Sequence, residues 1–177
     1  MTRHVIAAPA YSWTMQSTVT LLLSAFVAGC ALVPPPPQPG QTEADAVQRF
    51  GRPTGRYEMP GGGTRLEFAR GPYGRETWMV DLDTSGHVTA SEQVLTEGKL
   101  QAFQARAPGM SRDELLRTLG RPGERKGGGW QGGEVWSWRY PTNDCLWFQV
   151  SIDDDGIVHD GAFGIDWRCD PPTRGKE

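Results

Sequence analysis

The stretch GMSRDELLRTLGRP, Gly109 to Pro122, reads as one short helix with both ends marked. Ser111 is placed to cap it, and Glu114 three residues on completes a capping box. Leu115, Leu116 and Leu119 fall on one helical face. Gly120 offers the left-handed conformation that closes a helix, and Pro122 keeps it from resuming. The same pattern occurs earlier as GQTEADAVQRFGRP, Gly40 to Pro53. There Thr42 is the cap, Asp45 replaces the Glu, and Ala46, Val47 and Phe50 replace the leucines. Gly51-Arg52-Pro53 matches Gly120-Arg121-Pro122. The chain therefore reads as two copies of one unit.

The segments after the two marked helices also repeat. Thr64 to Phe68, and Trp78 to Leu82, alternate polar and apolar residues, the period of a half-buried strand. Asp83-Thr84-Ser85-Gly86 turns the chain into a third strand, Val88 to Leu95. In the second copy Val135 to Tyr140, then Leu146, Phe148, Val150 and Ile152, repeat the pattern. Asp153 to Gly156 repeats the turn, and Ile157 to Trp167 is the last strand region. Thr96 to Arg106 is an additional helix before the second copy, with Leu100 and Phe103 as its apolar contacts. The expected fold is α+β: two tandem helix(-helix)-three-strand antiparallel units, residues 42–95 and 96–170, with helices on one face of each meander. Residues 171–177 read as a tail.

The N-terminal region has a different character. Val19 to Gly29 is an uncharged apolar run too short for a stable membrane span, and it ends in Val27-Ala28-Gly29-Cys30. This resembles the lipobox at which bacterial lipoprotein signal peptides are cut. The resemblance implies a signal peptide over residues 1–29, a diacylglyceryl thioether on Cys30, and an acylated (palmitate-type) N-terminus. Arg3 alone supplies the basic start, and Met15 offers an alternative one. Ala31 follows Cys30 where an Asp would retain the protein at the inner membrane, so the implied address is the periplasmic face of the outer membrane. Several acyl chains make such anchoring stable. Residues 30–41, with Pro34 to Pro37 and Pro39, read as an extended spacer.

After Cys30 the chain carries 21 acidic and 17 basic residues, so a basic footprint for nucleic acid is absent. Two cysteines remain beyond Cys30, and in an oxidising periplasm Cys145 and Cys169 read as a disulfide. No Gly-x-Ser-x-Gly elbow occurs, and His87 and His159 have no evident base–orienter partners. The glycine runs at 61–63 and 127–129 lack the Lys and Ser/Thr of a phosphate loop. The chain is read as no enzyme, with no cofactor and no small-molecule substrate.

Two features remain as candidate sites. Asp81, Asp83, Ser85, Gly86 and Glu92 sit at EF-hand positions of a loop, an alternative calcium site that an ordinary hairpin turn also explains. Five of the seven tryptophans lie in the second copy. Trp136 and Trp138 align with Leu66 and Phe68, so they belong under the helices. Trp147 alternates against Leu146 and Phe148 and should face the other way. Cys145 shares its face. With Cys169 bonded there, alternation adds Trp167, Ile165 and Phe163, giving an aromatic patch for a protein partner.

Val94-Leu95-Thr96-Glu97, Pro108 to Ser111, Leu119 to Pro122, the Trp136-x-Trp138-x-Tyr140 strand and Asp153-x-Asp155-Gly156-x-Val158 together resemble the SmpA/OmlA (BamE-like) domain of outer-membrane lipoproteins. The resemblance covers about residues 94–168 well and 40–95 more loosely. It implies a periplasmic protein-binding module in outer-membrane protein assembly or envelope integrity. The tandem pair is also similar to the β-lactamase inhibitor proteins, whose units form one concave sheet. That likeness implies an alternative, an inhibitor-type binder of a periplasmic or cell-wall enzyme. A calcium-binding envelope sensor is the third reading.

Overall fold

The computed structural model describes residues 35–127 and 132–169. The two quoted stretches form helices α1 (Glu43–Phe50) and α3 (Arg112–Leu119), with α2 (Glu97–Gln104) between them. Both marked helices have complete capping boxes. The Thr42 and Ser111 hydroxyls accept from the backbone N–H of Asp45 and Glu114, and those carboxylates accept from the cap N–H in return. Two of the N–H groups orphaned at a helix start are thereby satisfied. The helix ends differ from expectation in one respect. Gly51 and Gly120 have φ of 86° and 78°, but ψ of −163° and −168°. This is an extended region open to glycine alone rather than the left-handed helical one. A Cβ on Gly120 would also stand 3.0 Å from the carboxyl carbon of Glu67.

The sheets correct the expected three-strand units. The first half contains β1 (Gly55–Glu58), β2 (Thr64–Arg70), β3 (Glu76–Leu82) and β4 (Val88–Gln93). The second contains β5 (Glu124–Gly127), β6 (Glu134–Arg139), β7 (Leu146–Ile152) and β8 (Val158–Ile165). Each set forms a four-stranded antiparallel meander in sequence order. Among the described residues, eight strands outweigh three helices, and the architecture is mostly β. The unexpected strands, β1 and β5, are four residues long and lie at sheet edges. An edge strand has one ladder partner and need not be buried on either face. It can therefore lack apolar alternation, as Glu-Arg-Lys-Gly of β5 does.

The two halves share smaller details. Each has a register shift at the end of its third strand, at Asp81/Leu82 and Ser151/Ile152. In each, the N-cap residue bridges to the turn after that strand, Thr42 to His87 and Ser111 to Ile157. Residues assigned to the spacer take part in the fold as well. Pro37 is buried, Arg49 donates to the carbonyls of Pro35 and Pro36, and Gly40 and Gln41 pair with Val88.

Alternation along the strands sets the layers. Leu66, Phe68, Val80, Leu82 and Val88 pack under α1 with Ala46 and Phe50. The reverse face of this first sheet meets the helices of the second half. Met79 joins the core built by Leu100, Phe103, Leu115 and Leu119. Arg65 donates to the Arg117 carbonyl, and the Arg121 N–H donates to Glu67. On their other side α2 and α3 cover Trp136, Trp138, Phe148, Val150 and Ile152 of the second sheet. The order is α1, first sheet, α2 with α3, second sheet. The helical layer lies between the sheets, which remain two separate four-stranded sheets.

Candidate functional site

The second sheet has one face that no α-helix among the described residues covers; a single 3-10 turn of the first half, Pro72–Gly74, reaches its edge. It is built by the residues that alternate against the core set. Arg139 stands opposite Trp147, Ser137 opposite Glu124, and Trp147 opposite Gly164. Gly164 leaves room for its neighbours, since a Cβ there would lie 3.2 Å from Gln149 Oε1 and 3.3 Å from the Trp147 indole nitrogen.

Trp147 is on the expected face but is only 4% exposed. Cations cover it. The Arg139 guanidinium lies 5.2 Å from its ring centroid, and the Lys126 ammonium 5.7 Å. Each cation is shared with a second aromatic ring. Lys126 reaches Trp167 at 5.4 Å, and Arg139 reaches Tyr73 at 4.4 Å. Arg168 closes the circuit, 4.5 Å from Tyr73 and 5.4 Å from Trp167. Three cations and three aromatics thus alternate around one ring, and cation–π attraction is strongest where water is excluded, as around Arg139. Tyr73 and Trp167 are its exposed aromatics, at 52% and 46%, and Lys126 and Arg168 are exposed as well.

Two carboxylates hold the cations in place. Asp166 accepts from Arg139 Nε, and Glu124 lies within 3.4–3.9 Å of Lys126, Arg139 and Arg168. The hydrogen bond from Arg139, with help from the Arg168 N–H, holds the Asp166 carboxyl below the usual carboxylate range despite its burial. Arg139 is shifted the other way by the same bond, so the pair stays ionised. Arg139 Nη1 is buried with no hydrogen-bond partner among the described residues, and the buried Nη2 faces Glu124 Oε2 at 3.6 Å.

A pocket of about 330 Å³ opens beside this ring, lined among others by Tyr73, Arg75, Arg139, Leu146 and Arg168. Tyr73 and Cys145, which also lines it, are the two non-glycine residues with positive φ among the described residues, at 58° and 53°. Such conformations persist only where the surroundings impose them, and they concentrate at functional sites.

Cys145 and Cys169 stand at disulfide distance, with Cα atoms 5.9 Å apart and a sequence separation of 24. Closing a loop of this length contributes roughly 3 kcal/mol by the chain-entropy estimate. Reduction, or Cys169→Ser, is therefore expected to lower the denaturation midpoint accordingly. An unchanged midpoint in reductant would show that the two thiols are not bonded.

Phe163 and Ile165 are not on this face. Phe163 pairs with Phe148 and Ile165 with Leu146, so both point to the helix side. Phe163 packs 5.1 Å from Phe148 and 5.7 Å from Tyr140, between ring centroids, and Ile165 is 64% exposed. The expected placement counted in twos back from Cys169. Residues 167–169 form a turn in which the Cys169 N–H donates to the Asp166 carbonyl, and strand parity does not carry through a turn. The ring's cations and Tyr73 were also missed. Arg139 could have been found, since it is two residues beyond Ser137 on the outward phase of β6. Tyr73 could not, because it comes from the other half of the chain.

The residues of the calcium alternative are not brought together. Asp81 pairs with Arg65, Asp83 accepts from the N–H groups of Ser85 and His87, and Glu92 pairs with Lys99. Among the described residues no group of three or more acidic, His or Cys side chains gathers in metal-binding geometry. Cys30 and its lipobox lie outside the described residues, and no described helix is long and apolar enough to cross a membrane. Comparison of the chain with protein-family models, curated proteins and solved structures finds no match.

Proposed function

We propose that this chain is a lipid-anchored envelope protein that binds another protein through the outer face of its second sheet. The carrying observation is the ring of cations and aromatics on a face that no described α-helix covers, with Tyr73 and Trp167 exposed at its rim. Aromatic and arginine side chains held in place by their neighbours lose little freedom on binding, and such residues dominate protein interfaces. The lipobox at Cys30 supports anchoring, with the outer membrane and periplasm as the address. The SmpA/OmlA-like motifs support a role in outer-membrane protein assembly or envelope integrity. No catalytic step is assigned to the chain.

Two measurements test this reading. Cys30→Ser is expected to move the protein from the membrane fraction to the soluble periplasm; retention in the membrane overturns the anchor. Crosslinking in intact cells, followed by mass spectrometry, is expected to recover an envelope protein with the unaltered chain and to lose it with Trp167→Ala. Trp167 is the preferred probe because Trp147 is buried. Equal recovery from both chains overturns the interface.

A further inference from the structure

We propose that the pocket beside the ring is a carboxylate-binding site, filled by an acidic group on a peptide segment of the protein partner. This rests on the protein-binding reading above and names what the partner presents. Charge is the first argument. Three guanidinium groups, of Arg75, Arg139 and Arg168, line the pocket with Asp166, and Glu124 stands 3.6 and 3.9 Å from Arg139 and Arg168, which leaves one positive charge in excess. The whole chain has a formal net charge of −3, so this local excess of positive charge runs against the molecule's own balance. An anion is the ligand such a pocket attracts.

The state of Arg139 is the second argument. Its side chain is 11% exposed, its Nε is committed to Asp166, its Nη2 has the Glu124 carboxylate at 3.6 Å, and its Nη1 has no hydrogen-bond partner among the described residues. Burying guanidinium N–H groups unpaired is costly, and an arriving acceptor recovers that cost. The Tyr73 and Trp147 rings lie 4.4 and 5.2 Å from the guanidinium carbon. The donor left over on this guanidinium suits a carboxylate oxygen, which makes a charge-assisted hydrogen bond with it.

The walls favour a peptide over a lipid phosphate as the source of the anion. Pro72 and Leu146 give the pocket apolar sides next to the arginines, and Thr142 and Asn143 offer neutral polar groups at its edge. An apolar side chain beside a carboxylate, with a backbone amide close by, suits that combination. The pocket's volume of about 330 Å³ is at the small end of ligand sites and fits one such residue.

The test uses the full chain, purified in detergent. Its probes are a fluorescein-labelled Gly-Ala-Ala-Leu peptide with a free C-terminal carboxylate, the same peptide as its C-terminal amide, inorganic phosphate, and phosphatidylglycerol vesicles. The free acid is expected to bind by fluorescence anisotropy, and the amide about tenfold more weakly or less, the equivalent of one charge-assisted hydrogen bond. Arg139→Lys, which keeps the charge and loses the fork, is expected to weaken the free acid by a similar factor. Arg75→Ala and Arg168→Ala remove more exposed arginines, so their effect on binding can be read even if Arg139→Lys fails to fold. Equal binding of acid and amide, or no binding of the acid, overturns the proposal. Competition by vesicles but not by the peptide assigns the pocket to lipid phosphate and overturns it too. So does binding seen only when residues 170–177 are removed, which gives the pocket to the chain's own segment. If cellular crosslinking survives Arg75→Ala and Arg168→Ala but is lost with Trp167→Ala, the carboxylate site fails while the protein-binding reading stands. If crosslinking survives all three, both fail.

Discussion

Trp138→Ala is expected to lower the free energy of unfolding by about 3–5 kcal/mol, the range for removing a large aromatic from a core. Trp138 is 1% exposed and sits between the second sheet and α3. Its indole N–H donates to the Gly120 carbonyl at 3.2 Å, at the very end of that helix. The substitution leaves a cavity and also strips a partner from a helix-terminal carbonyl. Urea denaturation followed by circular dichroism should show the midpoint falling with little change in slope. Trp138→Phe keeps most of the volume and loses the hydrogen bond, so a smaller loss is expected there. Equal losses for the two variants would mean that packing around Trp138 is not what holds α3 to the sheet.

Glu67→Ala is expected to cost a comparable amount, about 3–5 kcal/mol, for a different reason. Glu67 is fully buried in the first half, on the sheet face that meets the second half. Its carboxylate accepts from the Thr54 hydroxyl, the Tyr57 hydroxyl and the Arg121 N–H. Removing it takes the side-chain acceptor from three donors at the junction, the half-buried Tyr57 hydroxyl among them. Burial, then the hydrogen bond to Glu67, raises the Tyr57 phenol well above its ordinary value. Loss of Glu67 should therefore bring the Tyr57 titration down toward the normal tyrosine range. A stability loss below about 1 kcal/mol, the scale of a surface change, would show that the junction is not held by this carboxylate.

The parts of the fold that could be read in advance are those where local chemistry decides. Ser111 with Glu114, and Thr42 with Asp45, need nothing beyond their own backbone to cap a helix. Trp136 and Trp138 at alternate positions could only be buried together. The parts that could not be read depend on distant chain. Glu124 to Gly127 has no strand pattern and becomes a strand because β6 offers it a ladder. The reverse face of the first sheet carries Glu67 and Met79, an unusual pair that makes sense only once α3 lies against them. The site divides in the same way. Trp147 and the Cys145–Cys169 pairing were legible from alternation and cysteine number. Phe163 and Ile165 were misplaced because a turn reset the phase. Tyr73 entered from a Gly-Pro-Tyr-Gly turn of the other half, which no local pattern connects to Arg139.

The layer order has a consequence best put in the language of stacked repeats. In each half the sheet has a near face for its own helices and a far face open to the next layer. The first sheet's far face receives α2 and α3, so the second half is stacked on the first like the next step of a solenoid. The second sheet's far face is the equivalent surface, and a third step would land there. Terminal repeats are usually finished with a polar coat. Here Lys126 and Arg139 lie over Trp147, and Glu124 and Asp166 neutralise them. That coat ends the stack, and Tyr73 and Trp167 keep about half of their surface open to another molecule.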